Sequence, residues 1–225
     1  MHLVNATDSH RRTGLPRARR VPLVALALAF LVWAAVPSAP AFARDDAPTV
    51  DAALAAVAAG RAVIVMRHAL APGTGDPAEF ARGDCTTQRN LSEAGREQAR
   101  RIGRRLRAAL GTDEAEVRSS AWCRCLETGR LLGLGEVRPL PALDSFFRER
   151  DAREGRTAAL RRWIERRTGR AGEGIRPAVL VTHQVNVTAL TGVFPSSGEL
   201  VVFGPGPGDP SGAPEVLARL AIPAR

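Results

Sequence analysis

The 225-residue chain has no lysine, only three cysteines and only four histidines. Every basic side chain is therefore an arginine, a pattern attributed here to coding bias more than to chemistry. Two of the histidines, His2 and His10, precede an apolar N-terminal stretch, which leaves two for the remainder. Two histidines and an uncertain aspartate fall short of the three protein ligands that a catalytic zinc site uses, so a metal hydrolase is disfavoured. An odd cysteine count leaves at least one thiol unpaired or bonded to another chain. Aromatic residues make up only 4% of the chain, and no basic run is interleaved with them. That argues against nucleic-acid binding despite the formal charge of +9. The longest apolar run, Val21 to Val36, has sixteen residues, short of the ~20 that a membrane-spanning helix needs.

That run belongs to an export signal by its flanks. Arg11, Arg12, Arg17, Arg19 and Arg20 form a basic leader. Pro37-Ser38-Ala39-Pro40 then breaks the apolar stretch, and Ala41-Phe42-Ala43 has the small-x-small form of a cleavage site before Arg44. The expectation is a signal peptide over 1–43, cleavage near Ala43, no stable membrane span afterwards, and a home in a bacterial periplasm or outside the cell. Residues 44–225 then suit one domain with a real core. In an oxidising compartment a bridge from Cys85 to Cys123 or Cys125 is expected, or three reduced thiols. Cys123 and Cys125, two apart on one helix, face different ways and are poorly placed to bond with each other.

Short β-branched runs alternate with helical patterns through most of the domain. Strands are expected over 62–67, 115–119, 137–140 and 177–182, with helices near 92–109, 121–133, 155–168 and 185–191. Thr49 or Asp51 is expected to cap a first short helix, and Ser92 the second, whose Leu91, Ala94, Gln98, Ile102, Leu106 and Ala109 recur at helical spacing as its inward face while arginines line the other. A hairpin of Leu200–Phe203 and Val216–Ile222 closes the chain. The core is expected over about 60–205, with a C-terminal hairpin or tail over 198–225. Such alternation predicts an α/β fold with a mainly parallel sheet covered on both faces.

Three units carry chemistry. Arg67-His68 closes the first strand; a neutral imidazole is a competent nucleophile near neutral pH, and a guanidinium clasps phosphate oxygens. Ser119-Ser120 lies where a strand turns into a helix, a place that attracts anions, with Arg124 one turn later. His183 closes the fourth strand. Each alone has a plain structural reading: a surface dipeptide, a helix cap with a solvated arginine, a satisfied core histidine. Strand carboxyl ends are nevertheless where open α/β sheets bind ligands, so the two histidines point to one shared site.

Taken in order, strand-Arg-His, Leu-Ser-x-x-Gly-x-x-Gln-Ala (Leu91 to Ala99), Ser-Ser-x-x-x-Arg-x-x-x-Thr (Ser119 to Thr128) and strand-x-His resemble the histidine phosphatase superfamily, also called phosphoglycerate mutase-like or RHG. The resemblance spans about 60–205. It implies a three-layer α/β/α sandwich, His68 as the nucleophile that becomes phosphohistidine, Arg67 and Arg124 on the phosphoryl oxygens, and His183 completing the pocket. No metal or cofactor is implied. Ala69 stands where the family motif usually has glycine. Asp144 occupies about the place of the family's proton donor, with Glu149, Asp151 or no donor as alternatives and a turn or cap role as its plain reading. Ser119, Arg89 and Asn90 are further candidates for touching substrate, as is the loop Gly73-Thr74-Gly75-Asp76. The expected function is a metal-independent phosphatase acting on phosphomonoesters, either a small phosphorylated molecule or a phosphoprotein. A non-catalytic periplasmic module that binds phosphorylated ligands is the rival, and a phosphomutase of the same superfamily the third reading. The short segment after Asp144 offers little lid, which favours phosphatase over mutase.

Overall fold

The structure is a computed structural model that describes residues 49–170, 172, 174–206 and 213–224; the signal expected over 1–43 lies outside them. Thr49 caps α1 (Val50–Ala58), its hydroxyl accepting from the Ala52 N–H at 3.2 Å. The chain then enters β1 (Val63–Arg67), whose first four residues are buried. A strand buried on both faces reads as a continuous apolar run, as Val63 to Met66 does.

The remaining elements follow in order: α2 (Glu93–Leu110), β2 (Glu116–Ser119), α3 (Cys123–Leu132), β3 (Val137–Pro139), a 3-10 turn (Pro141–Leu143), α4 (Ala152–Thr168), β4 (Ala178–Thr182), α5 (Gln184–Thr191), β5 (Leu200–Pro205) and β6 (Pro214–Leu220). They form one six-stranded sheet of order β3-β2-β4-β1-β5-β6. The β2–β3, β2–β4 and β1–β4 pairs are parallel, while β1–β5 and β5–β6 are antiparallel. The terminal hairpin is thus built into the sheet beside its central strand. Calling it a tail is corrected by the burial of Val201, Val202 and Phe203.

Side chains of β1 alternate between two cores. Ile64 and Met66 pack with Leu54, Val57, Ile102 and Leu106 from α1 and α2. Val63 and Val65 pack with Leu160 and Ile164 of α4 and Val187 and Leu190 of α5. This is the three-layer α/β/α sandwich that the motif resemblance implies, with helices on both faces of a mainly parallel sheet.

Helix α2 corrects one expectation. Its buried stripe runs through Gly95, Gln98, Ala99, Ile102, Gly103, Leu106 and Leu110, whereas Ala94 and Ala109, expected inward, are exposed. Hydrophobicity cannot see the reason, because two glycines let backbones touch. A Cβ on Gly95 would lie 2.0 Å from the Leu70 carbonyl oxygen, and one on Gly103 would lie 2.0 Å from that of Leu132. Gly95→Ala is therefore expected to destabilise by about 3 kcal/mol through overpacking against rigid backbone. In an ordinary helix interior the same change stabilises by roughly 1 kcal/mol. A urea midpoint unchanged or raised in Gly95→Ala would show that the close approach is not what that glycine serves.

Candidate active site

Three neighbouring parallel strands end side by side. Arg67 of β1 pairs with Thr182 of β4, and Ser119 of β2 pairs with Val181. The residues that follow them, His68, His183 and Ser120, consequently emerge at one edge of the sheet, and all three are buried. The His68 and His183 rings are 5.6 Å apart, edge to face. Together with Arg67, Arg89 and Arg124 they line a cavity of about 170 Å³.

The orientation of His68 is set by its own backbone. Its Nδ1 lies 2.8 Å from the Ala69 carbonyl oxygen, which can only accept, so Nδ1 carries the proton and Nε2 keeps its lone pair. Burial first, and then the charge of Arg124, hold its pKa well below the ordinary imidazole value. At neutral pH the ring is uncharged with one nitrogen available for attack. The backbone after it is fastened at two points. Thr128 Oγ1 accepts from the Ala69 N–H at 3.1 Å and donates to the Arg124 carbonyl at 2.7 Å. Gln98 Oε1 accepts from the Leu70 N–H at 2.9 Å, while its Nε2 donates to the Ser197 and Ile222 carbonyls. The Gly-x-x-Gln of the second motif and the threonine of the third therefore act as clamps on the nucleophile's segment.

His183 sits in a relay of hydrogen bonds. Its Nε2 lies 2.8 Å from Ser120 Oγ, and its Nδ1 lies 3.4 Å from Arg124 Nη2, a donor. Nδ1 is accordingly the acceptor, Nε2–H donates to Ser120, and Ser120 Oγ donates onward to Asp144 Oδ1 at 3.3 Å. Burial, with His68 and Arg124 next, holds this imidazole well below its usual pKa too. The free thiol, Cys125, lies 3.5 Å from the same ring and is pushed up to about 12 by burial. It is inert at neutral pH.

Arg124 is held by a partner that sequence spacing did not single out. Its Nη1 and Nη2 contact Asp76 Oδ1 and Oδ2 at 2.5 and 3.2 Å, and both side chains are almost wholly buried. Asp76 also accepts from the Trp122 indole N–H at 3.1 Å and the Arg89 backbone N–H at 3.2 Å. Burial pushes the Asp76 carboxyl up, but Arg124 and these donors outweigh it and hold the group below the usual carboxylate range. With Nη1 also donating to the Arg89 carbonyl, the far edge of the guanidinium is committed to the protein. Its Nε is buried without a partner, and so is Nε of Arg67, whose Nη1 donates to the Pro195 carbonyl. Buried polar groups are nearly always paired. Two unmet donors on two cavity-lining arginines mark where an anion is wanted. Burial and then the charge of Arg124 also lower the pKa of Arg67 and of Arg89, so the crowded cations themselves favour a bound anion.

Not every expected residue reaches the cavity. Arg89 does, donating from Nε to the Gly75 carbonyl at 2.7 Å. Ser119 does not: its hydroxyl is fully buried and donates to the Ser120 carbonyl, so the anion-binding part expected of it is corrected. Asn90 likewise ties its loop together, donating to the Cys85 carbonyl. Asp144 is buried and is not among the residues that line the cavity. Its Oδ1 accepts from the Ala121 N–H at 2.8 Å, and Arg82 approaches its Oδ2 at 3.4 Å. That placement supports a turn-forming and Ser120-holding role and corrects the expectation that it protonates a departing oxygen. Of the alternatives, Glu149 lines the cavity, 2.5 Å from Arg156, and Asp151 is an exposed residue at the start of α4.

The cysteine question resolves as Cys85–Cys123, with Cα atoms 5.7 Å apart. This bridge fastens the glycine-rich loop that carries Asp76 and Arg89 to the first turn of α3, where Arg124 sits. Cys123 N–H also donates to Gln88 Oε1 at 3.0 Å. Trp122, Phe80 and Phe147 complete the cavity walls, and no periodicity in the sequence marked them.

No family model matches the chain, and no curated protein matches it. Among solved structures it is similar to the protein histidine phosphatase SixA complexed with tungstate, at 18% identity over 71% of this chain and 96% of that one, TM-score 0.49. A mycobacterial hydrolase matches at 18% identity over 64% and 91%, TM-score 0.47. The mycobacterial glucosyl-3-phosphoglycerate phosphatase in complex with VO3 matches at 17% identity over 64% and 92%, TM-score 0.45.

Proposed function

We propose that this protein is an exported phosphatase that hydrolyses phosphomonoesters through a phosphohistidine on His68, without a metal. The observation that carries this reading is the pairing of a neutral imidazole, its Nε2 unprotonated, with buried and unmatched Nε–H donors on Arg67 and Arg124. Phosphoryl transfer needs positioning and charge stabilisation more than covalent machinery, and this arrangement supplies both. Arg67 and Arg124 hold the phosphoryl oxygens, with Arg89 adding a third positive charge. His68 Nε2 attacks phosphorus as the bond to the ester oxygen breaks; that oxygen keeps the electron pair, leaves as the oxyanion and takes its proton from solvent. Water then attacks the phosphohistidine and releases inorganic phosphate and the free imidazole. Export rests on the N-terminal leader, and the short segment from Asp144 to α4 offers little lid, which favours hydrolysis over transfer back to substrate.

Brief mixing of the mature protein with labelled p-nitrophenyl phosphate tests this directly. The expected product is an acid-labile, base-stable phosphoryl group on His68, formed equally in the presence of EDTA. Turnover abolished by EDTA, or phosphate bound without any turnover on a broad panel of esters, overturns it; the second outcome leaves a binding module.

The low pKa of both histidines sets the pH behaviour. His68 stays neutral as pH falls through 6.5, so kcat is expected to hold there and to fall only in more acid solution. Stability follows the same groups. An unfolded chain takes up protons on its histidines below about 6.5, whereas the folded chain resists them. Stability from these sites is therefore complete above 6.5 and declines as pH drops towards the folded pKa values. Urea midpoints at pH 7 and 5 should differ in that direction, and less so in His183→Gln.

A further inference from the structure

Two features of the cavity are left over by the reaction described above. One wall is apolar and aromatic. Phe80 and Trp122 are stacked, with centroids 5.3 Å apart and planes 18° from parallel. Phe147 lines the same cavity while remaining half exposed, and Val185 is a further apolar lining residue. Three of the chain's ten aromatic residues thus line one small cavity in a protein poor in them. A flat unsaturated ring would find apolar contact with them, above all with the half-exposed Phe147.

The second feature concerns acids. Among the described residues lining the cavity, the carboxylates are Asp76 and Glu149. Asp76 is bidentate to Arg124, and Glu149 is paired with Arg156. Arg124 holds the Asp76 carboxyl below the usual carboxylate range, so it is ionised and has no proton to give, while Glu149 is engaged in its ion pair with Arg156. Alkoxides, the conjugate bases of alcohols nearly as weakly acidic as water, need that proton to depart. Phenols ionise near 10, as the tyrosine side chain does, and leave as phenoxide without it.

We propose that the preferred substrate is an aryl phosphomonoester, its ring held against Phe147 and the Phe80–Trp122 pair and its oxygen leaving as phenoxide. This rests on the phosphatase reading and names its substrate class. The cleaved bond is ester oxygen to phosphorus: the oxygen keeps the electron pair, His68 Nε2 gains the phosphoryl group, and solvent later protonates the phenoxide. The cavity is below the ~300–1,000 Å³ of drug-sized ligand sites. It therefore takes the phosphoryl group and one ring, the remainder of any larger substrate lying outside. A free aryl phosphate and a phosphotyrosine side chain present the same chemistry.

The test separates binding from leaving-group reactivity by using phosphonates, which cannot be hydrolysed. In calorimetry, phenylphosphonate is expected to bind the parent protein at least about tenfold more tightly than methylphosphonate, the size of one aromatic contact plus the apolar area it covers. That ratio should collapse to about twofold in Phe147→Ala, a half-exposed position where truncation leaves the core intact. Equal affinities in the parent, or a ratio untouched by Phe147→Ala and Phe80→Ala alike, overturn the aryl assignment while leaving the phosphatase reading in place. Failure of inorganic phosphate and both phosphonates to bind at all overturns the phosphatase reading itself. In turnover, phenyl phosphate is expected to exceed glycerol 3-phosphate by more than about 10³ in kcat, as a pKa-controlled departure requires. A phosphotyrosine peptide hydrolysed as fast as phenyl phosphate assigns the side chain as the source, and one hydrolysed far more slowly assigns the free ester.

Discussion

His68→Ala is expected to lower kcat at least about 10³-fold while the protein keeps its fold and its affinity for inorganic phosphate. The size follows from what is removed. Among the described residues lining the cavity the other imidazole is His183, whose Nε2 carries a proton donated to Ser120, and the neighbouring Cys125 thiol is pushed up to about 12. Loss of a covalent nucleophile typically costs several orders of magnitude, the residue coming from binding and charge stabilisation alone. The arginines that would hold phosphate are anchored independently of His68, Arg67 on the Pro195 carbonyl and Arg124 on Asp76. Phosphate binding should therefore survive, measured by calorimetry, while the labelled phosphoenzyme disappears. Substantial turnover by His68→Ala would mean that another group attacks phosphorus, and the phosphohistidine mechanism would be wrong.

Asp76→Ala is expected to cost about 3–5 kcal/mol of stability, lowering the thermal midpoint by roughly 10 °C. The reason is not the lost attraction alone. Arg124 has only 4% of its side chain exposed, so removing its carboxylate leaves a guanidinium both charged and dry. Trp122 Nε1 and the Arg89 N–H lose their acceptor at the same time. An anion in the cavity can replace part of what is lost. Inorganic phosphate is accordingly expected to raise the midpoint of Asp76→Ala more than that of the parent, at equal ionic strength. Equal phosphate shifts in the two proteins would show that the Asp76 carboxylate and a bound phosphate do not share Arg124. Activity should fall as well, because a guanidinium released on its far edge no longer presents Nε in one place.

Much of the framework was legible in the sequence because its causes are local. The short, β-branched apolar runs Ala62–Met66 and Ala178–Val181 read as strands buried on both faces, and the histidine that closes each pointed to one site. Ser92 marked the start of α2 by its capping chemistry, and the cap is found, its hydroxyl accepting from the Gly95 N–H. Where the signal was hydrophobic periodicity alone it slipped. The stripe of α2 turned out to pass through Gly95 and Gly103, since a glycine that allows backbone contact contributes nothing to an apolar pattern.

Sequence by itself determined the order of the motifs along the chain: Arg67-His68, then Gly95 and Gln98, then Ser119-Ser120 and Arg124, then His183. It could do so because each lies at a strand end or helix start, where position follows from local structure. Only the tertiary structure decided which side chains face the cavity. Ser119 and Ser120 are neighbours, yet successive side chains at a strand end point opposite ways, and Ser120 alone meets His183. Asp144 turned inward to the Ala121 N–H, while Asp76, 48 residues before Arg124, became its partner. Charge pairing acts through space, so a carboxylate in a glycine-rich loop carries no mark of the arginine it will meet until the disulfide, the sheet and α3 have brought them together.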